Sequence, residues 1–250
     1  MMIREFNIKT APPGVSAVIV TYNDAFYLRR TLKQLYWCNE IIIVDNFSTD
    51  NTLSVCREYN CKIFQRQFDS YGEQKGFGVR KASNNWTLII DADEYLTPEL
   101  AEEIQLELQN TRNCNGYLIP VSLVYREKEF RHGKESKKYF IKLFHKEYCE
   151  INGDKADEKI SVPGTKRKLK SKILRFSFSN IYEGINKMNA NSTYRAEIAV
   201  ETGRKPPAFI YLAIPLYFWK YYLLDRNFMN GKNGFYWSVF NAFYLLAEYV

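Results

Sequence analysis

The chain has 250 residues, 46% of them hydrophobic, enough for one large domain or a domain with an appendage, and this excludes wholesale disorder. The 35 Lys and Arg against 28 Asp and Glu give a net charge of +7, which favours an anionic partner: a nucleotide, a phosphate, a lipid head group or a nucleic acid. The five cysteines show no CxxC spacing; this argues against a zinc site and a disulfide framework and reads as reduced thiols in a cytosolic protein. The opening segment MMIREFNIKTAPPG lacks the apolar core of a signal peptide, so no export is expected. Residues 15–21, VSAVIVT, read as a buried strand, followed by a helix from about Asp24 with Leu28, Leu32 and Leu35 on one face and Asp24 as N-cap. Residues 40–45, EIIIVD, form a second apolar strand ending in acid, and Ser48, Thr49 and Asp50 supply N-cap chemistry for a helix through Tyr59. Residues 61–65 read as a third strand, 72–84 as a polar helix or turn, and 86–91 as a fourth strand. Thr97 and Pro98 then open a helix to about Asn110. Strands apolar on both faces, alternating with helices, predict an α/β fold with a mostly parallel, helix-covered sheet.

After Gly116 the pattern changes. Residues 116–125 and 138–145 read as strands, and 150–178 as a polar stretch of loop with short strands. A helix is expected from about Asn180 to Thr202, and two helical segments near 208–225 and 235–249 close the chain. The expected division is a catalytic unit over 1–178, its halves meeting near residue 110, and a C-terminal helical appendage over 179–250.

Three polar clusters fall at predicted strand ends: Thr21-Tyr22-Asn23-Asp24, Asp45 through Asp50, and Asp91-Ala92-Asp93 followed by Glu94. Parallel strands point one way, so the clusters should meet at one sheet edge, where open α/β sheets bind ligands. Asp91 and Asp93 stand two apart and can converge on a hard cation such as Mg2+ or Mn2+, which shares its shell with substrate phosphates. One cluster alone would read as helix capping; three converging clusters point to a nucleotide and metal site. The first strand is followed by no GxGxxG and the chain has no GxxxxGK[ST], which disfavours a dinucleotide-binding dehydrogenase and a P-loop NTPase.

VTYND at 20–24, VDNFSTDNT at 44–52 and DADE at 91–94, in that order, resemble the inverting nucleotide-sugar glycosyltransferases of family 2, which have the Rossmann-like GT-A fold. GEQKGFG at 72–78 followed by WTLIIDADEYL, with KMNANSTYRAE and NFMNGKNGFYWSVFNAFYLLAEY in the tail, is similar to the bacterial lipopolysaccharide-core β-glucosyltransferases. The resemblance implies a UDP-sugar donor and a surface glycan or lipid-linked glycan as acceptor. It implies that Thr21 and Tyr22 line the base and ribose pocket, with Asn23, Ser48 and Ala92 among the nucleotide-sugar contacts. It further implies that Asp45 accepts from the uracil edge, that Asp91 lies near the ribose and the metal's shell, and that Asp93 ligates Mg2+ or Mn2+. Lys75 either reaches the pyrophosphate or is a solvated helix lysine. The catalytic base is expected in a His-Glu pair; here Ala156-Asp157-Glu158 stands at that place, so Asp157 replaces the His, and Glu158 is the expected base with Asp157 and Asp154 as alternatives. Lys142 stands where the subgroup often has Arg and is expected to contact phosphate or acceptor. His132 and His145 are expected to be hydrogen-bonded surface residues rather than metal ligands.

The run KRKLKSKILR at 166–175 carries six cations, whereas AFIYLAIPLYFWKYYLL at 208–224 carries one charge and is interrupted by Pro215. The apolar run is at the short limit for a membrane span. Two readings stand: an interfacial segment on the cytoplasmic face of the inner membrane with lysines on anionic lipid, or a helix that packs on the catalytic unit. The rival functions are a polyprenyl-phosphate glycosyltransferase, disfavoured by the non-spanning tail, and a nucleotidyltransferase, disfavoured by the absence of a glycine-rich basic loop after the first strand. A nucleic-acid-binding module is not expected, because converging carboxylates repel phosphate.

Overall fold

The computed structural model describes residues 13–110, 114–153, 158–178 and 210–247, with isolated positions between 182 and 203. A ten-stranded mixed sheet forms its centre. Strand β1 (Val15–Thr21) lies between β2 (Glu40–Asp45) and β4 (Trp86–Ile89), with β3 (Lys62–Gln65) outside β2, all four parallel. Helices α1 (Ala25–Lys33), α2 (Thr52–Glu58) and α3 (Tyr71–Lys81) make the crossovers, as the alternation of strand and helix predicts.

Both faces of β1 are buried, which is why it reads as a continuous apolar run. Val15, Ala17 and Ile19 face α1, α2 and the helix α4 (Pro98–Gln109), while Val18 faces α3. The latter contact is close. A Cβ on Gly78 would stand 2.4 Å from Val18 and 3.1 Å from Val44, so only glycine lets α3 lie this near the sheet. The Ser70 hydroxyl accepts from Glu73 N and starts α3; Thr97 caps α4 on Leu100 N in the same way.

The second half extends the sheet with a change of direction. Strand β5 (Glu94–Leu96) follows the acidic turn, and β6 (Gly116–Tyr125) carries β7 (Lys128–Glu129) back along its end. Strand β8 (Lys138–His145) lies antiparallel to both β4 and β6, so β6 runs parallel to β4. The predicted loop with short strands over 150–178 contains the hairpin β9 (Glu150–Gly153) and β10 (Glu158–Ser161), then β11 (Lys166–Lys168) and β12 (Ile173–Phe176). Ile151 and Ile160 of the hairpin pack with Val79 of α3 and with Ala82 just past its end.

Several local expectations change. Asp24 does not cap α1 with its side chain; Asp50 Oδ2 instead accepts from Ala25 N. Asn51 immediately precedes α2 but makes no side-chain cap bond; Asp50 Oδ1 accepts from Thr52 N at 2.9 Å, so the expected N-cap chemistry comes from Asp50. The fourth strand ends at Ile89, two residues short of Asp91. Every described position between 182 and 200 is helical, in line with the helix expected there. The basic run 166–175 is tied to the sheet through its backbone and two ion pairs, while Lys166, Arg167, Lys168 and Lys170 stay exposed. Lys166–Lys168 pairs with Gly116–Leu118, Arg167 meets Glu107, and Lys172 meets Glu129. Among the described residues, no helix is long and apolar enough to cross a membrane.

One charged group anchors the edge opposite the acidic turns. Glu40 is buried at the start of β2, where burial raises its carboxyl but bonds from Lys62, Ser16 and Ser83 more than reverse this, to about 2. A depressed carboxyl contributes stability that is present above its unfolded value of 4.5 and lost as pH falls toward about 2. At about 1.4 kcal/mol per pK unit, up to about 3 kcal/mol rests on this group. Urea unfolding of Glu40→Gln should therefore show a stability deficit at pH 7 that closes by about pH 2–3.

Candidate active site

Strand polarity brings the three acidic segments to one edge. Thr21 of β1 is in register with Asp45 of β2, and Ile90, just past β4, donates to Val18 O. The loops after β1 and β2 are stitched together. Asn23 N donates to Ser48 Oγ, Thr49 N to Asn23 Oδ1, Asp24 N to Thr52 Oγ1 and Asn46 N to Thr21 O. Asn23 has φ 54° and Phe47 φ 55°, left-handed conformations that these crossed bonds hold in place.

This stitching revises several expected contacts. The polar atoms of Asn23 and Ser48 serve the loops rather than an open pocket. Asp45 is fully buried; Ser48 N and Gln65 Nε2 donate to its Oδ2 at 3.0 and 3.2 Å, and Ser48 Oγ donates to Oδ1. Thr21 donates to Asp24, as does Tyr22 N, and the Tyr22 ring is left exposed at the rim beside exposed Phe47. Ala92 is buried under its turn, with the Thr31 hydroxyl of α1 lying 2.8 Å from both Ala92 O and Glu94 O. Phe176 N donates to Asp93 O at 2.9 Å, so both sides of the acidic turn are pinned.

The centre of the site is a four-charge cluster in which Lys75, Lys142 and Glu94 are buried and the Asp91 side chain is 34% exposed. Lys75 of α3 lies 2.6 Å from Asp91 Oδ1, and Lys142 of β8 lies 3.0 Å from Asp91 Oδ2 and 2.7 Å from Glu94 Oε2. Asp91 N also donates to Glu94 Oε2 at 3.1 Å. Burial pushes the Asp91 carboxyl up, but Lys142 and Lys75 outweigh it and hold it well below the usual range. Glu94 is raised, by burial and by the Asp91 charge beside it, with Lys142 opposing. Lys142 stays above its ordinary value: burial lowers it, and Asp91 and Glu94 more than compensate. Lys75 is thus buried rather than a solvated helix lysine, and Lys142 lies beneath the acidic turn.

Tyr71, the first residue of α3, ties the edge together. Its hydroxyl is raised by burial and by the carboxylates of Asp91, Asp24 and Asp93, with Lys75 opposing. One phenol thus feels acids from two of the three clusters. The sequence reading passed over it; the signal was its place immediately after the Ser70 cap, where a helix N-terminus faces the strand ends.

Among the described residues, no three His, Cys, Asp or Glu side chains gather as a metal cage. His145 packs against Trp86 and Tyr148, and His132 lies beside Asn230. Both oxygens of Asp91 are held by ammonium groups, an environment different from that of the metal ligand expected. Asp93 is half-buried and carries a carboxylate, the ligand type that suits Mg2+ or Mn2+, which binds through one or two carboxylates with substrate phosphates and water completing the shell. Of the expected bases, Asp154 and Asp157 lie outside the described residues. Glu158 opens β10 opposite Gly153, its side chain outside the described positions, in the hairpin that packs on α3.

A family model described as glycosyl transferase family 2 matches residues 16–159. An uncharacterised glycosyltransferase of Rickettsia typhi is 28% identical over 249 residues, which cover 92% of this chain and 83% of that one. The lipopolysaccharide core biosynthesis glycosyltransferase LpsC of Rhizobium meliloti is 26% identical, over 92% of this chain and 88% of its own. The crystal structure of residues 1–349 of Staphylococcus aureus TarS in complex with UDP superposes with a TM-score of 0.46 at 15% identity, over 73% of this chain and 65% of that one.

Proposed function

We propose, from the premise that this chain belongs to glycosyl transferase family 2 and is an inverting glycosyltransferase of GT-A fold, that it moves glucose or a related hexose from a UDP-sugar. The acceptor in this reading is a growing lipopolysaccharide or lipid-linked glycan, as the name of the LpsC relative suggests. The observation that carries the donor assignment is the convergence of Asp24, Asp91 and Asp93 with Lys75 at the carboxyl edge of the parallel strands.

Sugar transfer requires charge to build on a departing diphosphate while the acceptor oxygen attacks the anomeric carbon from the opposite face. Mg2+ or Mn2+, held by Asp93, would supply Lewis-acid neutralisation of that diphosphate. Asp91, fixed between two lysines, would orient the ribose without adding net negative charge to the floor. The exposed ring of Tyr22 would flank the base. Glu158 would take the acceptor proton as the new bond forms.

A panel of nucleotide-sugars, each with and without Mn2+, tests the assignment through thermal stabilisation and slow donor hydrolysis. A UDP-sugar that needs the metal supports it; indifference to every nucleotide-sugar refutes it. Glu158→Gln should lower kcat for transfer about 10²–10⁴-fold with the donor KM little changed. Near-normal turnover in that protein would reassign the base.

A further inference from the structure

The C-terminal segment forms a helical hairpin whose two arms have different surroundings. The helix Gly231–Ala247 packs on the catalytic body through Trp237 and Phe240, which meet Leu123, Tyr125, Phe130 and Phe178. The helix Ile210–Trp219, continued by a π-helical turn Lys220–Leu224, lies on that first arm, with Phe218 and Tyr222 against Phe235. Among the described residues, the side chains on its opposite face are exposed. Leu216 is 69% exposed, Trp219 53% and Leu224 78%, and Leu223 stands between them in helical spacing. At the elbow Phe228 and Met229 extend the same apolar surface.

A basic loop is locked against this elbow. Arg131 N and His132 N both donate to Asn230 Oδ1, Asn230 Nδ2 donates to His132 O, and Lys134 N donates to Asp225 O. Gly133, at φ 76°, permits the contact, since a Cβ there would stand 2.1 Å from Asp225 O. The loop exposes Arg126, Lys128, Arg131 and Lys134. Across the elbow Lys220, Arg226 and Lys232 are exposed as well. Within 126–134 and 220–232 the seven cations face three carboxylates, and one of those, Glu129, is paired with Lys172. Exposed aromatic and leucyl side chains ringed by cations match an anionic lipid interface: the rings and aliphatic chains enter the head-group boundary and the cations meet phosphate. A second copy of this chain would present the same positive charge and be repelled.

Strand direction adds a consequence. The hairpin is seated on Tyr125, at the carboxyl end of β6, and β6 runs parallel to β4. The apolar face therefore belongs to the sheet edge that carries Asp91 and Asp93.

We propose that the outer face of this hairpin, with the loop Arg126–Lys134 at its elbow, docks on an anionic lipid bilayer and turns the acidic rim toward acceptors presented there. The docking stands on its own; its link to an acceptor rests on the glycosyl-transfer reading.

Flotation of the full chain with vesicles tests it. The chain should rise with vesicles of phosphatidylcholine and phosphatidylglycerol, not with phosphatidylcholine alone, and high salt should weaken the binding. Leu216→Ser, Trp219→Ser and Leu224→Ser together should cut partitioning at least about tenfold while leaving the melting temperature and UDP-sugar hydrolysis unchanged. Lys128→Gln and Arg131→Gln should each weaken binding to the anionic vesicles about fivefold. Wild-type protein that binds neither vesicle, a triple variant that binds as wild type, or a solution dimer that the triple variant splits would each overturn the proposal. Vesicle binding without turnover of any nucleotide-sugar would instead refute the glycosyl-transfer reading and leave the docking intact.

Discussion

Lys142→Met is expected to lose about 3–5 kcal/mol of folding stability and most of the turnover. Lys142 is the cation shared by two carboxylates, at 3.0 Å from half-buried Asp91 and 2.7 Å from Glu94, and Glu94 is almost wholly excluded from solvent. Without it, the pair between Lys75 and Asp91 remains, while Glu94 loses the ammonium group 2.7 Å from its carboxylate. The cheapest response is for Glu94 to take a proton, because its carboxyl is already raised. A carboxyl whose native pKa lies above its unfolded value makes the native state bind more protons, so folding stability from that group falls as pH rises through the raised value. The deficit of Lys142→Met should therefore be larger at pH 8 than at pH 5.5, as urea unfolding at the two values would show. Lys142→Arg, which keeps the charge, should restore most of the stability. Adding Glu94→Gln to Lys142→Met should recover part of the stability by removing the unpaired charge, without restoring turnover. A single variant within about 1 kcal/mol of wild type at pH 8 would show that the cluster does not bear on the fold.

The parallel half of the sheet was legible because its physics is local. Runs such as EIIIVD at 40–45 have no polar face, so they need cover on both sides, and the acids that end them must fall at one edge. The roles within that edge were less legible. Asn23, Ser48 and Asp45 carry the residue types of a ligand pocket, yet short polar side chains on adjacent loops satisfy one another first. Lys142 was separated from Asp91 by 51 positions, and only the antiparallel pairing of β8 on β4 joins them. Glu94 had no assigned chemistry, since nothing local says that β5 buries its first side chain. In the tail, Gly231–Ala247 packs on the body, and Ile210–Trp219 leaves Leu216 and Trp219 exposed. The cations at that face come from residues 126–134 and 220–232, because the run 166–175 that looked more basic begins as a strand at the amino end of β6, away from Tyr125.

Asp93→Asn should lower transfer about 10²–10³-fold and raise the Mn2+ concentration needed for half-maximal rate, with folding stability changed by no more than about 0.5 kcal/mol. The turn around Asp93 is held by its main chain, Phe176 N on Asp93 O and Thr31 on Ala92 O and Glu94 O, so an isosteric amide leaves the scaffold in place. What the amide removes is one negative charge next to the proposed diphosphate subsite, where a divalent ion would be gripped. Asp91→Asn supplies the contrast. It takes away the partner of Lys75 and one partner of Lys142, both buried, and so should lower stability as well as rate. The two aspartates are two positions apart and chemically identical, but one is braced by ammonium groups and the other is not part of that brace. A metal titration of the rate, read beside the melting temperature, separates them: a shift in Mn2+ requirement at constant stability for Asp93, a joint loss for Asp91. If Asp93→Asn kept the wild-type Mn2+ dependence, the metal would have to be placed elsewhere on the rim, with Asp24 the nearest remaining carboxylate around Tyr71.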